Sequence, residues 1–197
     1  MVPARPRAAG APRAIAIAEA GVGAASIDAW LADLGLVAVD RGERDGISSW
    51  DLLLDGRRRH DIRTTLILDP SLALVCWVHY APPINDSFRV SYRKLLRWND
   101  ELPFVKFAIA PDERPILTAE LPVAHLELDA LGVCLARVVT ICDLLLDDSL
   151  AWLHPGAKRA PVPIRPSRHE ALLERYADAV AELTVALGGD AGAPAPA

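Results

Sequence analysis

The chain has 197 residues, 52% of them hydrophobic and 24% charged, which suits one globular domain with tails and a substantial core. A net charge of −5 argues against a dedicated nucleic-acid binder, which carries a strongly basic face. No apolar run reaches the length of a membrane helix, and no signal-peptide core follows the basic start MVPARPRAAGAPRA, so a cytoplasmic protein with no membrane partner is expected.

Residues 1–25, rich in Pro, Ala, Gly and Arg, read as a flexible leader. A short helix follows, with Ser26 as its N-cap, Ile27, Trp30, Leu31 and Leu34 at helical spacing, and Gly35 closing it. A strand over 47–54 alternates through Trp50, Leu52 and Leu54. Asp55-Gly56 begins a turn, and Arg57, Arg58, Arg59 and His60 make a basic rim. A second strand, 61–68, places Ile62, Leu66 and Leu68 on one face. The turn Asp69-Pro70-Ser71 joins it to a third strand, 72–80, which is apolar on both faces. Such a strand is either central or turns its second face to a partner.

The next helix starts at Asn85 or Asp86 and runs to Asn99, with Phe88, Tyr92, Leu95 and Leu96 as its apolar stripe and Arg89, Arg93, Lys94 and Arg97 as its wet face. Strands 104–109 and 116–121 form a hairpin around residues 111–114, stopped by Pro122. A long helix from Asp129 to Leu146 carries Leu131, Leu135, Val138, Cys142 and Leu145, a face broad enough to lie deep against a sheet. Residues 154–167 are Pro-rich and basic and read as an extended connector. The last helix, 167–187, shows Leu172, Tyr176, Val180 and Leu183 at helical spacing. The organisation expected is therefore a leader (1–25), a domain (26–153), a connector with a C-terminal helix (154–187) and a disordered tail (188–197).

The order α-βββ-α-ββ-α plus a C-terminal helix implies an α+β fold with a mainly antiparallel five-stranded sheet and helices packed on it. Three stretches carry a family resemblance: the helix end 95–99 (LLRWN), the hairpin 104–109 and 115–122 (FVKFAI, PILTAELP), and the helix 131–143. Over residues 27–152 the chain resembles the YbjN family of bacterial sensory transduction regulators, itself similar in fold to the class I chaperones of type III secretion. The resemblance implies a homodimeric, non-enzymatic protein that binds another protein as client, and it supplies no catalytic residue to carry over.

The residues themselves agree with that expectation. Cys76, Cys134 and Cys142 are odd in number and set among apolar neighbours, as buried free thiols are. His60, His79, His125, His154 and His169 lack the spacing of a metal site, and no cofactor is expected. Glu127 and Asp129, and Asp147-Asp148, read as a helix cap and loop charges and not as a paired-carboxylate centre. Gly21-Val22-Gly23 is no phosphate loop, and Ser48, Ser49 and Ser91 have no nucleophile context.

Two surfaces remain as candidates. Trp50, Trp77 and Tyr80 lie on strands and are the candidate dimer or client surface, since exposed aromatic patches are uncommon unless a partner covers them. The alternative for these three is a core closed by the C-terminal helix. Arg57, Arg58, Arg59 and His60 could contact phosphate or an acidic partner, which keeps a nucleic-acid-associated regulator as the second function class. A solvated hairpin turn that discourages edge pairing accounts for the same four residues.

Overall fold

The computed structural model describes residues 22–83, 89–153 and 165–188. Helix α1 (Ala24–Asp33) leads into an antiparallel meander of β1 (Ala38–Arg44), β2 (Ile47–Leu54), β3 (Ile62–Asp69) and β4 (Ala73–His79). Helix α2 (Arg89–Glu101), the hairpin strands β5 (Lys106–Ile109) and β6 (Pro115–Pro122), and helix α3 (Leu128–Leu144) follow. The chain continues with α4 (Leu146–Leu153), α5 (Glu170–Arg175) and α6 (Ala177–Gly188). The strands form one antiparallel sheet in the order β1-β2-β3-β4-β6-β5.

The class is α+β, but the sheet has six strands and not five. The additional strand is β1, AVDRGER, six of whose seven residues are exposed. An edge strand wet on both faces carries no apolar alternation, so periodicity passes over it. Other boundaries also move. Helix α1 is capped by Gly23, not Ser26, because the Ser26 N–H already donates to the Gly23 carbonyl at 3.0 Å. Gly35 does end that helix region, at φ +70°, a conformation open to glycine without strain. The expected last helix divides into α5 and α6 at Tyr176, whose backbone leaves helical geometry (φ −113°, ψ 22°) while its hydroxyl donates to Asp129 at 2.8 Å. The leader through Gly21, the start of the second expected helix at 84–88, the connector 154–164 and the tail 189–197 lie outside the described residues.

Burial alternates along the central strands. Trp50, Leu52 and Leu54 of β2, Ile62, Leu66 and Leu68 of β3, and Leu74, Cys76 and Val78 of β4 point to one face. They join Ile27 and Leu31 of α1 and Leu131, Leu135 and Val138 of α3 in a single core. Each large aliphatic side chain sealed there contributes about 1.5–3 kcal/mol. The strand expected to be apolar on both faces is β4: its second face carries Val75, Trp77 and His79, which are half-buried.

At the far end of the sheet, Trp98 of α2 packs on Phe107 of β5 at 5.4 Å, and Phe107 meets Tyr80 edge-to-face at 4.9 Å. Asn99 closes this edge with both ends of its amide. Its Oδ1 accepts from the Phe107 N–H and its Nδ2 donates to the Phe107 carbonyl at 3.0 Å.

Helices α5 and α6 pack on α3, burying Leu172, Leu173, Tyr176, Val180 and Leu183. Gly132 permits this approach, since a Cβ there would sit 2.3 Å from the Tyr176 ring. Gly132→Ala gains about 1 kcal/mol of helix propensity yet is expected to destabilise by about 1–2 kcal/mol net, from overpacking. In a Tyr176→Leu background the same change becomes neutral or stabilising, which a double-mutant cycle by urea denaturation would measure.

Candidate functional site

The densest polar cluster joins the β2–β3 loop to the C-terminal segment. Asp55 ends up with a fully buried side chain, 0% exposed. Its carboxylate accepts from Arg168 Nε at 2.7 Å and Arg168 Nη2 at 2.8 Å, from Arg165 Nη1 at 3.0 Å, and from the Asp61 N–H at 2.9 Å. Charge-assisted, forked pairing of this kind is the strong form of hydrogen bond. The Arg168 guanidinium holds the Asp55 carboxyl well below the usual carboxylate range, against the opposing effect of burial. The Asp55 backbone is held as well: its N–H donates to His169 Nδ1 at 2.9 Å, and the Ser167 hydroxyl donates to its carbonyl at 2.9 Å. Burial lowers the His169 pKa, in keeping with a neutral ring whose Nδ1 accepts. Asp61, at φ +53°, adds a second carboxylate, 2.8 Å from Arg168 and 3.1 Å from Arg165.

The loop between these residues is organised by its backbone. The N–H groups of Arg57, Arg58 and Arg59 converge on the Asp143 carboxylate of α3 at 2.6, 3.2 and 2.7 Å, a concave nest of amide donors occupied by an internal anion. Gly56 is required beside it, because a Cβ would lie 2.3 Å from an Asp143 oxygen.

The structure brings the four basic-rim residues together on this loop, and their charges are engaged locally. Arg57 pairs with Glu170 of α5 at 2.7 Å, and Arg58 with Asp147 of α4 at 2.6 Å. Arg59 lies over the Tyr80 ring at 4.7 Å and donates to the Tyr80 carbonyl. His60 Nε2 is buried without a hydrogen-bond partner among the described residues. The rim is thus a seam between the loop and the helices around it.

The aromatic candidates divide. Trp50 and Tyr80 are core residues, each 1% exposed, which corrects their expected place on a shared surface. Trp50 faces α1 and donates its indole N–H to Asp28 at 2.6 Å. The Tyr80 hydroxyl meets Ser149 in the interior, and burial raises its pKa. Trp77 points to the opposite sheet face, paired in register with Thr65 and Thr118 and stacked on His79 at 6.2 Å. The Trp77 indole nitrogen and His79 Nδ1 lack hydrogen-bond partners among the described residues.

The remaining candidates are structural. The three cysteines are free and buried. Burial pushes the Cys142 thiol up to about 11, and a hydrogen bond with Cys134 together with burial raises that of Cys76. Asp129 accepts from Arg175 at 3.0 Å as well as from Tyr176, and Asp148 pairs with Lys94 at 3.4 Å. Among the described residues no group of three or more His, Cys, Asp or Glu is placed to hold a metal, and no helix is long and apolar enough to cross a membrane.

Sequence reasoning passed over Asp55, Asp143, Arg165, Arg168 and the partnership of His169. Asp55 and Arg168 stand 113 residues apart, so no local period links them. The available signal was an Asp-Gly turn facing a basic connector of opposite charge.

The fold and these contacts define an α+β protein in which the conspicuous charged groups join its own elements. The model of the YbjN family, described as "Putative bacterial sensory transduction regulator", matches residues 24–150, and the chain belongs to that family. No curated protein matches the chain. Asp55 and Asp143 lie inside the matched span; Arg165, Arg168, His169 and Glu170 lie beyond it.

Proposed function

We propose that the protein is a non-enzymatic, cytoplasmic regulator that acts by binding proteins, in the manner of a secretion chaperone, and that it works as a homodimer. The observation that carries this reading is the sheet face opposite the helices. There Ile67, Val75, Trp77 and His79 form a half-buried apolar strip flanked by Thr65 and Thr118. A large half-buried aromatic on a sheet face, stacked on His79, fits an interface centre better than a solvated surface. The nucleic-acid alternative finds less support, since Arg57 and Arg58 each face a carboxylate of the same chain.

Two measurements test the proposal together. Sedimentation of the full chain should give a dimer mass, and Trp77→Glu should give a monomer while changing folding stability by no more than about 1 kcal/mol. A wild-type protein that stays monomeric at every concentration, and retains no protein from its own lysate, would reject the reading.

A further inference from the structure

Strand β1 stands at one end of the sheet, and among the described residues it pairs on one side only, with β2. Its turn fixes which backbone groups face outward. Asp45 and Gly46, both at positive φ, form a two-residue hairpin loop, so the flanking pair Arg44 and Ile47 is hydrogen-bonded. Counting back by twos, Gly42 and Asp40 also turn their N–H and C=O groups toward β2, while Glu43 and Arg41 turn theirs to the open edge. The Arg41 N–H shows the same parity, for it donates to the exposed Asp40 carboxylate at 2.9 Å and not to a strand.

The open edge reads Asp40, Arg41, Gly42, Glu43, Arg44, and all five residues are exposed. Charges ordinarily guard an edge strand against pairing. Here the guard is selective. Residues opposed in an antiparallel pair share their parity, so a two-fold axis relating two copies of β1 must pass through a residue position. An axis at Asp40, Arg41, Glu43 or Arg44 sets two like charges face to face. An axis at Gly42 sets Arg41 opposite Glu43 and Asp40 opposite Arg44, each pair occurring twice, with no like charges directly opposed. It also makes the outward-facing residues, Arg41 and Glu43, the hydrogen-bonded pairs. Asp28 already holds the Arg41 guanidinium in place, at 3.2 Å.

We propose that β1 is a contact for a second copy of this chain, paired antiparallel about Gly42 into one continuous sheet. The inference goes beyond the proposed function, because Trp77 stands on β4 and β1 is a separate contact between copies. Exposed ion pairs are individually weak, so the edge is the weaker contact. A Trp77→Glu chain therefore sediments as a monomer at ordinary concentration and still pairs through β1 when concentrated or trapped.

The test traps the pair covalently in the full chain carrying Trp77→Glu, which keeps its outcome distinct from that of the sheet face. Across the axis the two Gly42 Cα atoms lie about 4.5 Å apart, within the roughly 4.4–6.8 Å that a disulfide spans. Gly42→Cys should form a disulfide-linked dimer in oxidised glutathione, while the native cysteines stay buried. Arg44→Cys, about 13 Å from its copy in that register, should crosslink at least tenfold more slowly. With Gly42→Cys present, Asp40→Lys and Arg44→Glu should each slow the crosslink about tenfold. Mixing those two variants should restore it as a mixed dimer, identified by mass, because the new lysine then faces the new glutamate. A Cβ at position 42 lies 2.9 Å from the Ser49 hydroxyl, which must rotate away. Should that variant fold poorly, sedimentation of the two charge variants at high concentration, alone and mixed, gives the same readout without the cysteine. Equal crosslinking at positions 42 and 44, or a mixture that pairs no better than its components, would overturn the proposal. Gly42→Cys chains that link to lysate protein and never to each other would overturn it in favour of a foreign strand.

Discussion

Asp55→Ala is expected to lower the unfolding free energy by about 3 kcal/mol in guanidinium denaturation. The carboxylate is fully buried and satisfies Arg168, Arg165 and the Asp61 N–H at once. Deleting it leaves an amide donor unsatisfied and strips the two guanidinium groups of their main partner. The arginines are 39% and 46% exposed and rehydrate, which holds the loss toward the low end of the 3–5 kcal/mol typical of a broken buried pair. The pH dependence has a definite sign. The folded-state pKa lies below the unfolded value of about 3.9, so the stabilisation is fully present above that pH. It is lost as pH falls through the folded value. The gap between wild type and Asp55→Asn should hold from neutrality to about pH 4 and narrow below it. A gap that instead widened in acid would refute the pairing. His169 acts earlier. Its lowered folded pKa makes its contribution complete above the ordinary histidine value and progressively lost below it, so loosening of the C-terminal segment in mild acid should precede the loss from Asp55.

Asp143→Ala is expected to cost about 2–4 kcal/mol, because three backbone N–H groups lose their acceptor where Asp143 is 9% exposed. Asp143→Asn keeps an Oδ1 that can accept from two of the three N–H groups and sets its Nδ2 against the third, so it should cost less than Asp143→Ala. Gly56→Ala should resemble Asp143→Ala, for it forces the carboxylate out of the nest. The control is Arg57→Gln with Arg58→Gln, which removes the visible ion pairs while keeping the amides. Those pairs are 41–61% exposed on both partners, so the double change should cost about 1 kcal/mol or less. If denaturation instead ranked the double arginine variant above Asp143→Ala, side chains and not backbone would hold the loop.

The elements that sequence reasoning reached are those whose burial repeats at a fixed period. Alternation marks β2 and β3, and the broad stripe marks α3, because each presses one face into the core. Strand β1 presses neither, and its residues were invisible for that reason. The break between α5 and α6 was equally hidden: the apolar spacing runs unbroken through Tyr176, and the interruption comes from its hydrogen bond to Asp129, 47 residues earlier. The same limit governs the polar cluster. Arg57, Arg58 and Arg59 are conspicuous as a run, whereas Asp143, which anchors their amides, and Asp55, which holds Arg165 and Arg168, are single carboxylates whose partners come from distant segments. Trp50 and Trp77 read alike as strand tryptophans. Which face each takes depends on register against neighbouring strands, and that is a property of the assembled sheet.

A strand's free edge can template another strand, and a protein with two such edges can add copies without end. Here Asn99 occupies the backbone donor and acceptor of Phe107 in the middle of the four-residue strand β5. Growth through the sheet is therefore one-sided: pairing through β1 uses up the open edge of both molecules and ends there. A single asparagine amide gives this sheet a terminus at β5, so that edge offers no template for a fibre.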